Sequence, residues 1–288
     1  MSTPQHLDLE ANGLRFGALA WGAEDAPLAL LAHGYPDTAW TWRHLGPYLA
    51  ARGRRVVAPF SRGYAPTDLA PDGSYRIADL AQDLLGLHEA LGGDERAVLV
   101  GHDWGAVATY GVAAVAPTRF RRLVTIAVPP PPALLKPLTR LSTVPLGLRQ
   151  TGLSWYFLYN QLPGSERTLD RLVPKLWGDW APGYDARQDI AHVMTALDTP
   201  QRRRAAQTYY RDNLRGGLKA TFTLAPQAPV LYLHGEDDGC MKADILTRFP
   251  QALPAGSRYE RLPGLGHFPQ LEDPDRTGAL IQEWIGPA

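Results

Sequence analysis

Gly101-His102-Asp103-Trp104-Gly105 sets a carboxylate between two glycines, directly after the apolar run Ala97-Val98-Leu99-Val100. That run reads as a short buried strand, and Ala106 to Ala116, rich in alanine and valine, reads as a packed helix. A residue between paired glycines on a sharp strand-to-helix turn is pushed out above the sheet, as in the G-x-S-x-G turns that expose a nucleophilic serine. Here Asp103 stands in the serine position. A serine alkoxide attacking an sp³ carbon would leave an ether, which water does not cleave under mild conditions. A carboxylate leaves an alkyl ester, which water can hydrolyse. Asp103 therefore points to displacement at saturated carbon, such as an epoxide or a carbon–halogen bond, through a covalent intermediate. The bland reading of the same residue is an acidic N-cap on the following helix.

Two further segments complete a set in the chain order nucleophile, acid, histidine. Val230-Leu231-Tyr232-Leu233 runs into His234-Gly235-Glu236-Asp237-Asp238-Gly239, a strand end carrying three consecutive carboxylates. The G-x-x-D spacing counted from Gly235 favours Asp238, with Asp237 as the alternative. Leu262-Pro263-Gly264-Leu265-Gly266-His267-Phe268-Pro269 places a histidine on a glycine-rich loop after a predicted strand. Among the eight histidines, His267 has the most accessible expected setting for a mobile imidazole. His33, His102 and His234 also lie at predicted strand ends. They read as hydrogen-bonded scaffold residues, since none follows the last core strand.

The elements that must position these residues alternate. His6 to Gly22 holds two strand patterns around the Asn12-Gly13 turn, a hairpin signal. Leu28 to Ala32 is a buried strand ending at His33-Gly34-Tyr35-Pro36, and Arg55 to Pro59 is another, followed by a loop over Ser61 to Asp68. Ile77 to Leu91 carries apolar residues at helical spacing. Leu123 to Val128 is the next strand, and the four prolines Pro129 to Pro132 stop it. From there to about Pro226, helix-like segments carry Trp155, Tyr156, Tyr159, Trp177, Trp180, Tyr184, Tyr209 and Tyr210 without an evident buried strand. Strands return at Pro229 to Leu233 and Arg258 to Leu262, with a final helix near Pro274 to Trp284. The expected organisation is an α/β core in two parts, residues 1–129 and 227–288, with a helical cap over residues 130–226. Such a cap would exclude water and give the site an aromatic roof.

Composition excludes several classes. The chain of 288 residues has 29 basic and 29 acidic side chains, so nothing in its charge favours nucleic acid or an anionic membrane. Arg202-Arg203-Arg204 reads as a solvated helix face. The single cysteine, Cys240, excludes an internal disulfide and a cysteine-rich metal site, and suits a reducing cytoplasm. No secretory signal pattern opens the chain, and no apolar run approaches the length of a membrane span.

With these motifs the chain resembles the α/β-hydrolase-fold epoxide hydrolases over nearly its whole length. His33-Gly34-Tyr35-Pro36 resembles that family's H-G-x-P oxyanion loop, and Gly101-His102-Asp103-Trp104-Gly105 matches its nucleophile motif. The resemblance implies an α/β-hydrolase core with a mostly parallel central sheet and a helical cap inserted after the sixth strand. It implies Asp103 as nucleophile, His267 as general base, Asp238 orienting His267, and the backbone N–H groups of Tyr35 and Trp104 as oxyanion hole. It also implies two cap tyrosines that donate to the epoxide oxygen. Tyr156 falls at the first position, ahead of the Pro163-Gly164 turn, and Tyr210, in Tyr209-Tyr210-Arg211, at the second. Tyr159 and Tyr209 are their near alternatives. The substrate implied is a small-molecule epoxide, which the aromatic cap suggests is apolar or aromatic, with no metal or organic cofactor.

Haloalkane dehalogenases share this elbow, and Trp104 would fit their halide-binding tryptophan. Their partner donor is commonly an asparagine in the His-Gly loop, where this chain has Tyr35. Fluoroacetate dehalogenases, which act on a haloacid, are similar too, yet usually carry arginine directly after the nucleophile. Paired tyrosines favour an oxygen leaving group, which needs a proton that halide does not. A ligand-binding, non-catalytic member of the fold is the third reading, and the presence of all three catalytic positions argues against it.

Overall fold

A computed structural model describes residues 3–134, 136–139, 141–215 and 225–288. Its strands are β1 (Gln5–Ala11), β2 (Leu14–Trp21), β3 (Leu28–Ala32), β4 (Arg55–Pro59), β5 (Val98–His102), β6 (Arg122–Ile126), β7 (Val230–Gly235) and β8 (Arg258–Leu262). They form one sheet in the order β1-β2-β4-β3-β5-β6-β7-β8. The β1–β2 and β2–β4 pairs are antiparallel and the rest are parallel. This is the α/β-hydrolase architecture expected from the sequence.

Local chemistry accounts for each part. Asn12 and Gly13 both adopt positive φ (47° and 74°), the conformation of a tight hairpin turn between β1 and β2. On the edge strand β1 exposed and half-buried residues alternate, whereas β3, β5 and β7 are buried along their whole length. Unbroken burial is what parallel strands covered on both faces require. Helices α1 (Leu45–Ala50), α2 (Ile77–Ala90) and α3 (Trp104–Val115) supply part of that cover, with the terminal helix Pro274–Ile285 packed on α1. Gly111 lets α3 approach α2 closely, since a Cβ there would sit 3.1 Å from the Ala81 methyl.

Register brings the strand ends together. Ala32 pairs with Gly101, His102 with Ile126, and Gly235 with Leu262. The loops after β3, β5, β7 and β8 therefore leave the sheet at one edge, the carboxyl edge where open α/β sheets hold their ligands.

Between β6 and β7 the described residues contain helices and no strand. These are α4 (Pro131–Leu134), α5 (Val144–Leu153), α6 (Trp155–Tyr159), α7 (Leu169–Trp180), α8 (Arg187–Ala196) and α9 (Pro200–Arg215). Residues 216–224 of the expected insertion lie outside the described residues. The arginine run on α9 is not the solvated face expected from sequence. Arg202 donates to the Gly63 and Thr67 carbonyls (3.3 and 2.6 Å) and Arg203 to the Leu197 carbonyl (3.1 Å), so backbone acceptors draw two of the three inward. No helix among the described residues is long and apolar enough to cross a membrane.

Candidate active site

Asp103 sits on the turn between β5 and α3 with φ 51° and ψ −115°, a backbone conformation that costs a non-glycine residue about 1–3 kcal/mol. The flanking glycines make the turn possible. A Cβ on Gly101 would meet the Gly105 carbonyl at 2.2 Å, and one on Gly105 the Ala32 carbonyl at 2.1 Å. The Asp103 amide donates to the Ile126 carbonyl (3.2 Å), tying the turn to β6. Its side chain is buried, and Oδ1 accepts the Tyr35 amide N–H at 2.8 Å. Gly34 has to be glycine for that approach, because a Cβ there would lie 2.3 Å from Asp103 Oδ1. Trp104 opens α3, where first-turn N–H groups have no carbonyl partner within the helix.

His267 Nδ1 lies 2.8 Å from Asp238 Oδ2, and His267 Nε2 lies 3.6 Å from Asp103 Oδ2. Asp238, not Asp237, meets the imidazole; Asp237 is exposed. Asp238 Oδ1 accepts the Cys240 and Met241 amides (2.6 and 2.9 Å), so the loop after β7 is wrapped around its own carboxylate. Burial would raise the Asp238 carboxyl, but the charge of His267 and hydrogen bonds from His234 and His267 outweigh it and hold Asp238 well below the usual range. For His267, burial would lower the imidazole, and the Asp238 and Asp103 carboxylates instead raise it to about 10.

His267 is fully buried, which corrects the accessible setting expected from its glycine-rich loop. The cover comes from α7. The Trp180 carbonyl, at the C-terminal end of that helix, accepts the His267 amide (2.9 Å) and, more loosely, the Gly239 amide (3.4 Å). The Trp180 ring lies against the imidazole with 4.9 Å between centroids. One helix end thus clasps both loops, those carrying the histidine and the acid. His33, His102 and His234 are all hydrogen-bonded: His33 Nε2 accepts the Ser61 amide (2.9 Å), His102 Nε2 meets the His267 carbonyl (2.8 Å), and His234 Nε2 the Met241 carbonyl (3.1 Å).

Tyr156 on α6 and Tyr210 on α9 line one narrow apolar cavity with Asp103 and Trp104, enclosing about 60 Å³ of free space. Their rings meet edge to face at 5.6 Å. The Tyr156 hydroxyl lies 3.2 Å from Cys240 Sγ. The Tyr210 hydroxyl has no well-formed hydrogen bond, although the Trp104 indole interacts with it more loosely. Burial pushes both phenols well above their ordinary values, so both carry their protons. The neighbouring tyrosines are occupied elsewhere. Tyr159 meets Thr168 Oγ1 at 2.5 Å, and Tyr209 donates to the Arg62 carbonyl at 2.8 Å.

Sequence reasoning missed Glu272. Its two oxygens accept the Gly266 and Phe268 amides (2.7 and 2.8 Å), gripping the histidine loop on both sides of His267. Its spacing, five residues after the histidine and just inside the short helix Pro269–Glu272, was the available signal. Asp238, Cys240 and His267 also bring potential metal-ligand atoms within 4.8 Å of one another. The acid and imidazole of that trio are already bonded to each other, an arrangement that suits proton transfer rather than an ion.

The α/β-hydrolase-fold family model matches residues 27–274. Epoxide hydrolase A of Mycobacterium tuberculosis is 30% identical over 99% of this chain and 98% of its own length. Among solved structures, epoxide hydrolase A of Mycobacterium thermoresistibile superposes with a TM-score of 0.76 at 26% identity, covering 98% of both chains. An epoxide hydrolase from Vigna radiata gives a TM-score of 0.78 at 25% identity, again over 98% of both chains. The chain belongs to the α/β-hydrolase-fold epoxide hydrolase family.

Proposed function

We propose that this protein hydrolyses epoxides to vicinal diols through an alkyl ester on Asp103. The observation that carries the reading is the pairing of a carboxylate on the elbow with two protonated phenols facing the same cavity. A carboxylate nucleophile suits saturated carbon, and phenols suit an alkoxide leaving group that must be protonated. Residues 130–226 serve as the cap over core segments 1–129 and 227–288.

In the first half-reaction Asp103 Oδ2 attacks one oxirane carbon while Oδ1 stays on the Tyr35 amide. The breaking C–O bond delivers its electron pair to oxygen, which takes hydrogen bonds from Tyr156 and Tyr210 and a proton from one of them. At neutral pH His267 begins as an imidazolium between two carboxylates. Esterification removes the charge of Asp103, one of the two anions that raise His267. The imidazole then releases its proton through water to the tyrosine phenolate and becomes a base. It draws a proton from water, and the hydroxide attacks the ester carbonyl carbon. The Tyr35 and Trp104 amides receive the oxyanion, each such donor contributing about 2.7–4 kcal/mol in comparable acyl chemistry. Collapse releases the diol, the Asp103 carboxyl returning its proton to the departing alkoxide. No step requires a metal or organic cofactor.

The cavity indicates the substrate class. Ile77, Val107, Val128, Leu134, Phe157 and Met241 line it, and among the described residues that line it there is no lysine or arginine to hold a carboxylate. This lining supports an uncharged epoxide with an apolar or aromatic substituent over a haloacid.

The test is a single turnover in ¹⁸O-labelled water with styrene-type and short terminal epoxides. Attack at the ester carbonyl puts the label into the Asp103 peptide and leaves the first diol unlabelled. Label found only in the diol would mean that water attacks the epoxide directly and would refute the ester route.

A further inference from the structure

The two phenols above Asp103 have different surroundings: a thiol lies against Tyr156, and only a loosely placed indole N–H against Tyr210. Cys240 is fully buried, two residues beyond Asp238, and its backbone N–H donates to Asp238 Oδ1 at 2.6 Å. Its Sγ lies 3.2 Å from the Tyr156 hydroxyl. Tyr210, equally buried and facing the same cavity, has no thiol against its hydroxyl; the Trp104 indole meets it only loosely, short of a well-formed hydrogen bond among the described residues. Burial and the nearby carboxylates push the Cys240 thiol well up, so it keeps its proton. A thiol with its proton is a weak donor, and a phenol oxygen is an acceptor. An S–H directed at the Tyr156 oxygen leaves the Tyr156 proton free to point into the cavity.

We propose that Cys240 makes the two tyrosines unequal: its S–H hydrogen-bonds the Tyr156 oxygen, so that Tyr156 delivers the proton to the opening epoxide while Tyr210 only hydrogen-bonds it. This rests on the epoxide-opening reading. The Asp103 Oδ2–carbon bond forms as the oxirane C–O bond breaks, the electron pair moves to oxygen, and the Tyr156 proton follows it. The phenolate left on Tyr156 is held by the Cys240 S–H until the His267 imidazolium returns a proton through water. Tyr210, whose oxygen has only the looser Trp104 indole N–H as a second donor, is by this account the poorer place for that negative charge. Cys240 is a positioning residue by this account, and it links the acid loop, through its amide, to the proton donor, through its thiol.

The experiment measures pre-steady-state alkylation by tryptophan fluorescence, with the ester adduct on Asp103 quantified by mass spectrometry, for Cys240→Ala and Cys240→Ser in the wild-type, Tyr156→Phe and Tyr210→Phe backgrounds. Loss of a hydrogen bond to a developing charge is expected to slow alkylation by about tenfold in Cys240→Ala. Serine, which keeps a donor, is expected to restore the rate. The alanine effect is expected to persist with Tyr210→Phe and to vanish with Tyr156→Phe, which a purely structural role would not produce. Cys240→Val, which has no donor and leaves no cavity, replaces alanine if that variant is unfolded. Wild-type alkylation rates in the donor-less variant, an unchanged effect in the Tyr156→Phe background, or failure of serine to restore the rate would overturn the proposal. If wild-type protein forms no Asp103 ester with any epoxide, the underlying reading fails instead.

Discussion

The Tyr35 amide N–H holds Asp103 Oδ1 at 2.8 Å in the resting protein, so one carboxylate oxygen already occupies the position where an oxyanion would form. The other oxygen, Oδ2, is turned toward His267 at 3.6 Å. The two oxygens of one side chain therefore have separate surroundings. In the proposed reaction the first accumulates charge during ester hydrolysis, and the second makes the bond to carbon.

Asp103→Ala removes the nucleophile, and diol formation is expected to fall by on the order of 10⁴-fold or more. The same position tests the backbone. With φ at 51°, glycine is the residue best suited to the turn, so Asp103→Gly is expected to unfold at higher denaturant than Asp103→Ala, by about 1–2 kcal/mol. Equal stability of the two variants would mean the turn relaxes once the side chain is gone.

His267→Gln separates the half-reactions. Alkylation needs no base, whereas activation of water does, and losing a general base typically costs about 10²–10⁴-fold. The variant is expected to accumulate an adduct of enzyme plus epoxide mass on the peptide containing Asp103. A confirmed substrate that leaves no adduct would show that His267 has another role.

The His267 charge also has a sign that solution work can check. Its folded value, about 10, lies above the ordinary 6.5, because the Asp238 and Asp103 carboxylates overcome the effect of burial. The stabilisation from this imidazolium is complete below 6.5 and is lost as pH rises through about 10. The stability difference between wild type and His267→Gln is therefore expected to narrow as pH climbs from neutral toward 10. NMR of the labelled imidazole is expected to show a lower titration midpoint in Asp103→Ala than in wild type. An unshifted midpoint would mean Asp103 is not one of the charges that hold it up.

Much of the fold could be read locally. The apolar run before Gly101, the glycines flanking Asp103 and the Asn12-Gly13 turn each dictate their own conformation from neighbouring residues. Spacing from Gly235 pointed to Asp238, because the loop closes its backbone amides onto that carboxylate. What stayed illegible depends on distant segments. His267 looked accessible because its loop is glycine-rich, yet Gly266 is there to admit the Trp180 carbonyl, which would lie 2.6 Å from a Cβ at that position. The inward turn of Arg202 depends likewise on carbonyls at Gly63 and Thr67, far back in the chain. Sequence alone left Tyr209 beside Tyr210. Adjacent residues on a helix point about 100° apart, and only packing decides which faces the cavity and which reaches the Arg62 carbonyl.

The leaving group is tested by Tyr156→Phe and Tyr210→Phe. Each change removes one hydroxyl and keeps a ring that packs edge to face at 5.6 Å against the other, so the cavity walls persist. Each single variant is expected to slow epoxide alkylation by about 10²-fold, the typical cost of one donor to a developing oxyanion. The double variant is expected to be nearly inactive, since no other group in this reading protonates the alkoxide. Displacement of halide needs no proton, so a dehalogenase would retain most of its alkylation rate through the same changes. Parallel pre-steady-state measurements with an epoxide and a haloalkane of matching carbon skeleton separate these outcomes. Unchanged epoxide alkylation in the double variant would refute the tyrosine assignment, and rapid haloalkane turnover by the wild type would transfer the site to carbon–halogen chemistry.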